Sequence, residues 1–138
     1  MTKWAASLIR ISNHEVETLQ KRLAEIVERR TAAELRVAML DAEAEAEAKR
    51  AEGDAGAGWY MIGYREGHKR RRAEMLLQID QCHEEEVGAR DALAEAFENL
   101  KKYEHVAEQA KVLAIKKQGA FESAQLDELG LRRKAAGF

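Results

Sequence analysis

The run that combines the most metal-ligating donors is Cys82-His83-Glu84-Glu85-Glu86. A thiolate, an imidazole and carboxylates together would suit a transition metal. On a helix, though, adjacent side chains point about 100° apart, so Cys82 and His83 do not face one ion. The residues three and four positions beyond His83 are Glu86 and Val87, a poor donor set. His14, His68 and His105 are scattered, with no Ser or Cys placed to make a nucleophile–base pair. Gly53, Gly56, Gly58, Gly63 and Gly67 crowd one short region. A phosphate-binding loop would need Gly-Lys-Ser/Thr between a strand and a helix, and neither context is present. The reading is therefore no enzyme, no metal and no cofactor.

What remains is binding chemistry, in two places. Trp59, Tyr60, Met61, Ile62 and Tyr64 follow the glycine cluster, and Trp, Tyr and Met are enriched at partner contacts. Two readings stand side by side: these side chains cap the helix ends, or they meet a partner. Next comes the basic block Arg65-Glu-Gly-His-Lys69-Arg70-Arg71-Arg72. It faces the acidic segment 41–52 if the chain turns near residue 58, so internal charge pairing is the first explanation. A phosphate contact is the sharper alternative, but without a nucleic-acid fold no nucleic-acid partner is expected. The second place is near the C-terminus, where Phe121, Leu126, Leu129 and Leu131 stand among charges.

The elements that position these residues follow from composition. The chain has 138 residues and no proline; 46% are hydrophobic but only 6% aromatic, and 35% are charged. Ala, Leu, Glu, Lys and Arg dominate either side of the glycine cluster, and these are the strongest helix formers. Such a composition with helical periodicity belongs to a coiled coil. The net charge of −2 gives no global field toward nucleic acid or an anionic membrane. One cysteine excludes an internal disulfide and suits a reducing compartment. In the segment Met1–Arg10, Arg10 interrupts the apolar run too early for a signal-peptide core. No stretch reaches the roughly 20 apolar residues that span a bilayer, so no direct membrane insertion is expected.

In the first half, one track holds Ile9, Val16, Leu23, Arg30, Val37 and Ala44, and the other Ser12, Leu19, Ile26, Ala33, Leu40 and Glu47. Alternating steps of four and three are the a and d positions of a heptad repeat. Arg30 on that seam reads as a register device or a snorkelling side chain. Ser12 and Glu15 have capping-box spacing, which would start the ordered helix near residue 13. In the second half the tracks are Ile79, Glu86, Leu93, Leu100, Ala107, Ala114 and Phe121, and Cys82, Ala89, Ala96, Tyr103, Ala110 and Ala124. Leu76, Val87, Phe97, Leu113 and Ile115 lie off this alanine-rich seam, which predicts register drift or a stutter.

The fold class is thus all-α: a single two-helix antiparallel coiled-coil hairpin over 1–138, with a longer C-terminal helix. The helices cover about 4–52 and 65–131, and the turn about 53–64, where glycines would supply positive-φ conformations. Reversal near residue 58 pairs position n with roughly 116 − n. At 1.5 Å per residue the first helix is about 70–75 Å long, and the second overhangs it from about residue 113. Apolar residues on that overhang have nothing intramolecular to cover them, so it reads either as an interaction surface or as a frayed basic tail.

A hairpin of this length ending in Leu126-Asp-Glu-Leu-Gly-Leu-Arg-Arg133 resembles the flagellar export FliJ family, whose second helix closes with a Leu/Met-Asp-Glu segment followed by arginine. Lys101-Lys-Tyr-Glu104, Lys116-Lys-Gln118 and the aromatic run Gly58–Tyr64 also fit its style. The resemblance implies a stalk-like role in type III protein export: a rod in the hole of the export ATPase hexamer that promotes ring assembly, touches the membrane export gate and binds export chaperones. It implies a cytoplasmic location, held at the inner face of the membrane through partners. The paired termini and the overhang, with Phe121, Leu126, Asp127, Glu128, Leu129, Leu131, Arg132 and Arg133, would meet the ATPase. Trp59, Tyr60, Met61, Tyr64, Arg65, Lys69, Arg70, Arg71 and Arg72 would face the gate. The alternative is an export chaperone or general coiled-coil adaptor that holds substrates or other chaperones.

Overall fold

The computed structural model describes residues 3–137. It contains two helices, α1 (Lys3–Glu52) and α2 (Ala57–Ala135), of 50 and 79 residues, and no strand among the described residues. The fold is an all-α hairpin whose second helix is the longer. With no proline and few β-branched residues, nothing interrupts either helix. Lys49 and Arg50 close α1, and Arg132, Arg133 and Lys134 close α2, each set favourable to the negative end of the helix dipole.

The contacts divide into two compact units, Glu17–Ala94 and Met1–Val16 with Glu95–Phe138. In the first, the core is one row of residues deep. Ile26, Ala33 and Leu40 are buried on α1, and Met61, Cys82 and Ala89 on α2. Ile26, Cys82 and Ala89 form one cluster, with Leu23 packed against it. Small side chains on α2 let the two helices come close, but each buries little area at about 25 cal/mol per Å². In the second unit, Ala5, Ser12 and Val16 of α1 and Ala96 and Leu100 of α2 are buried, and Tyr103, Ala107 and Ala110 are half-buried. Every described residue after Ala110 is exposed.

The first heptad tracks hold: each of their twelve positions, Ile9 through Glu47, is buried or half-buried. The second holds from Ile79 to Ala110 and then runs on into solvent with Ala114, Phe121 and Ala124 exposed. No stutter occurs over that stretch: Val87 and Phe97 point outward and the seam keeps its step past them.

Three local expectations are corrected. The helix does not start at a Ser12–Glu15 cap; α1 runs unbroken from Lys3, and Ser12 is a small buried seam residue. Nine helical residues precede it, and a hydroxyl inside a helix has no free N–H to cap. The turn is shorter than 53–64. α2 begins at Ala57 and absorbs Gly58 and the whole aromatic run, because Met61 and Gly67 are buried on the continuing seam, and packing outweighs the cost of glycine in a helix. Nor does the reversal use positive φ: among the described residues only Gly137, beyond the end of α2, has it, at 84°. The turn is instead held by Asp54. Its N–H donates to Ala51 O (3.2 Å), its carbonyl accepts from Ala57 N–H (3.2 Å), and its Oδ1 accepts from Gly56 N–H (3.0 Å). An aspartate bonding two residues ahead is a turn device that works with ordinary backbone angles.

Candidate functional site: a hairpin tip and an uncovered helix end

Within Glu17–Ala94 the seam carries a polar layer. Arg30 Nε donates to Glu86 Oε2 at 2.8 Å and its Nη1 to Glu34 Oε1 at 3.1 Å, while Arg90 Nη2 donates to Glu86 Oε1 at 2.7 Å. Alongside, Arg29 Nη2 donates to Glu85 Oε2 at 2.6 Å. Both oxygens of Glu86 therefore have an arginine. The hydrogen bond from Arg90, with that from Arg30, holds the Glu86 carboxyl below its ordinary value of 4.5 against the opposing effect of burial. The bonds to Glu34 and Glu86 raise the Arg30 guanidinium further, and the bond to Glu85 raises Arg29. Arg30–Glu86 sits on the register of the sequence reading, and Arg29–Glu85 lies two residues short of it. Arg30 is thus a register residue with a seam partner. Two opposite charges at facing seam positions were the signal for that pairing.

Beside this layer an open groove of about 480 Å³ runs between the helices, lined by Arg29, Arg36, Met75, Gln78, Cys82 and Glu85 among others. Its polar groups are arginines, glutamines and one paired glutamate, and Cys82 is buried at its floor. Among the described residues no three His, Cys, Asp or Glu side chains come together as a metal site.

At the tip, the structure separates the candidates. Trp59 is 92% exposed, and Tyr60 and Ile62 are exposed too, so the cap reading fails for them. Met61 turns inward and is buried, with no surface to offer a partner. Tyr64 is half-buried, stacked on Tyr60 with ring centroids 6.0 Å apart, and Arg71 lies 5.9 Å from its ring centre. The basic block is divided as well. Arg72 Nε donates to Asp41 Oδ1 at 3.0 Å, with His68 Nε2 3.4 Å from the same oxygen, which realises the expected pairing with the acidic segment. Arg65, Lys69 and Arg70 are exposed, and among the described residues no ion pair involves them.

At the other end of α2, Phe121, Leu126, Leu129 and Leu131 are all exposed. Leu126, Leu129 and Arg133 line one shallow face, and Arg132 Nη2 donates to Glu128 Oε1 at 2.9 Å. Asp127 and Arg133 are exposed. The carbonyls of the last turn accept from Ala136 N–H (3.0 Å, to Arg132) and Gly137 N–H (3.3 Å, to Lys134), which closes the helix.

A helical hairpin with one apolar helix end left uncovered and a bare aromatic tip defines an all-α protein of the coiled-coil class. No family model matches the chain, and no solved structure matches it. Two curated relatives, both described as flagellar FliJ protein, from Caulobacter vibrioides strains NA1000 / CB15N and ATCC 19089 / CIP 103742 / CB 15, are 81% identical over 137 residues, covering 99% of this chain and 99% of each relative. The chain belongs to the flagellar FliJ family.

Proposed function

We propose that this chain is a non-enzymatic coiled-coil stalk of the flagellar type III export apparatus, binding the export ATPase ring at one end and the membrane export gate at the other. The observation that carries the reading is the helical stretch after Ala110. It is fully helical, fully exposed, and bears Phe121, Leu126, Leu129 and Leu131 with no intramolecular cover. A soluble helix that leaves such a face bare is stabilised by a partner. In this reading the face meets the ATPase subunits, and because a single helix end lacks the ring's symmetry it touches them unequally and biases their assembly. The tip, with Trp59, Tyr60 and Arg65, reaches the gate, which would keep the protein in the cytoplasm at the inner face of the membrane.

The test is to add the purified protein to the export ATPase and follow hydrolysis and ring formation. Stimulation of both, lost in L126A/L129A/L131A, supports the stalk. No change in either removes it. A second reading draws on the same exposed leucines: an export chaperone or adaptor that holds substrates or other chaperones. Capture of an unfolded substrate with no ATPase present would favour it.

A further inference from the structure

Over its first four turns α2 places its exposed apolar and cationic side chains in axial order. Trp59, Tyr60 and Ile62 come first, with Trp59 92% and Ile62 70% exposed. Arg65, Lys69 and Arg70 follow, about 9–17 Å further along at 1.5 Å per residue. Glu66 is the one acid among residues 57–72 of this helix, against five arginines and lysines. Of those five, Arg71 is engaged with the Tyr64 ring and Arg72 with Asp41, which leaves the other three facing water. The carboxylates of the acidic segment 41–52 stand on α1, so the two helices divide the charge between them. The shallow depression on the cationic side is lined by Ile62, Arg65, Glu66 and Lys69, all from one helix.

From this arrangement we infer that the start of α2 adsorbs directly to an anionic bilayer surface, with Trp59, Tyr60 and Ile62 in the interface and Arg65, Lys69 and Arg70 on headgroup phosphates. Amphipathic rings settle at the level of the headgroups, and cations behind them meet the negative surface potential. An acidic protein partner would complement the same charge. A protein partner held in a groove of this chain would need walls from a second element, and this face is lined by one helix only. A bilayer needs no concavity. Adsorption requires no spanning segment, and no helix of the described residues is long and apolar enough to cross a membrane. The inference goes beyond the stalk reading and does not depend on it, since it concerns the isolated protein and lipid; Trp59, Tyr60 and Arg65 would serve the bilayer or the gate in turn, not both at once.

The experiment uses the full chain carrying Trp4→Phe, which leaves Trp59 as the single indole reporter. It is mixed with vesicles of phosphatidylcholine alone, or of phosphatidylcholine with phosphatidylglycerol, and followed by co-sedimentation and tryptophan emission. Binding is expected only to the anionic vesicles, with a blue shift, protection of Trp59 from an aqueous quencher, and loss as salt is raised. R65Q/K69Q/R70Q should reduce partitioning about 100-fold, from roughly fivefold for each cation near such a surface. W59A/I62A should weaken it independently, followed by sedimentation alone. All five side chains are exposed, so circular dichroism should be unchanged. If a variant did lose helix, the salt titration of the Trp4→Phe chain would decide instead. No binding, equal binding to both vesicle types, or sedimentation with Trp59 still open to quencher would each overturn the inference. So would a Trp59 blue shift and protection from quencher on soluble polyglutamate with no vesicle present, which would mark an acidic-protein site.

Discussion

Replacing Gly58 and Gly63 together by alanine should stabilise the protein, although both lie in the one glycine-rich segment of the chain. Both sit inside α2, neither has positive φ, and a Cβ built at either meets nothing within 4 Å. Each substitution removes backbone freedom from the unfolded chain and supplies a better helix former, for about 0.5–1 kcal/mol. The two positions share no neighbour, so the effects should add to about 1–2 kcal/mol. At roughly 4 °C per kcal/mol for a chain of this size, the double variant should melt about 4–8 °C higher. Thermal melts by far-UV circular dichroism, with urea titration to check that only the midpoint moves, measure this directly. A lower melting temperature would refute the reasoning, because it would mean that the reversal extends through this segment and uses glycine-only angles. Gly67→Ala is the built-in comparison. Its Cβ would lie 3.0 Å from Arg71 Nη1, the far end of a flexible side chain, so its gain should be smaller.

Other expectations follow from the packing. Ile26→Ala empties the centre of the cluster with Cys82 and Ala89 and should cost about 2–4 kcal/mol in urea unfolding. Arg30→Met alone should destabilise more than Arg30→Met with Glu86→Leu, since the single change leaves Oε2 of Glu86 without its arginine while Arg90 holds only Oε1, and the double change removes the carboxylate as well; a double-mutant cycle reads the difference. Because the folded state holds Glu86 below 4.5, its contribution is present above that pH and is lost as pH falls through the lowered folded value. Glu86→Gln should flatten that part of the acid limb of a stability–pH curve. Deleting residues 111–138 removes no buried side chain among those described, so the melting temperature should stay within a few degrees while stimulation of the export ATPase disappears.

The seams were legible because burial on a long helix is decided by the step between apolar residues, and no other element competes for them. Val16, Ile26, Leu40 and Leu100 stand where the heptad puts them. Even Glu86 keeps its seam position, since the repeat around it fixes which way the helix faces. The turn was less legible. Composition marks where glycine is cheap to tolerate, not which residue makes the bend. The bend is made by Asp54, whose oxygen and carbonyl do what glycines were expected to do. Met61 shows the limit for the candidate site: four large side chains in succession look alike in sequence, and only the phase of α2 decides that Met61 goes inward while Trp59 and Ile62 face out. At the C-terminal end the leucines were readable as uncovered once the hairpin's register was set.

The helix beyond Ala110 also has a kinetic meaning. A free peptide of that length would have to nucleate before it could present a face, and nucleation is the expensive step. Here the nucleus already exists in the packed turns around Leu100, and the exposed stretch only propagates from it. A partner of the kind proposed would meet a surface whose ordering has largely been completed beforehand, and its affinity would be spared much of the cost of folding a disordered tail. Gly119 and Gly130, with open space around each, are where such a propagated helix is weakest. Alanine at either site would extend the helical fraction and quicken association while leaving every contact residue untouched.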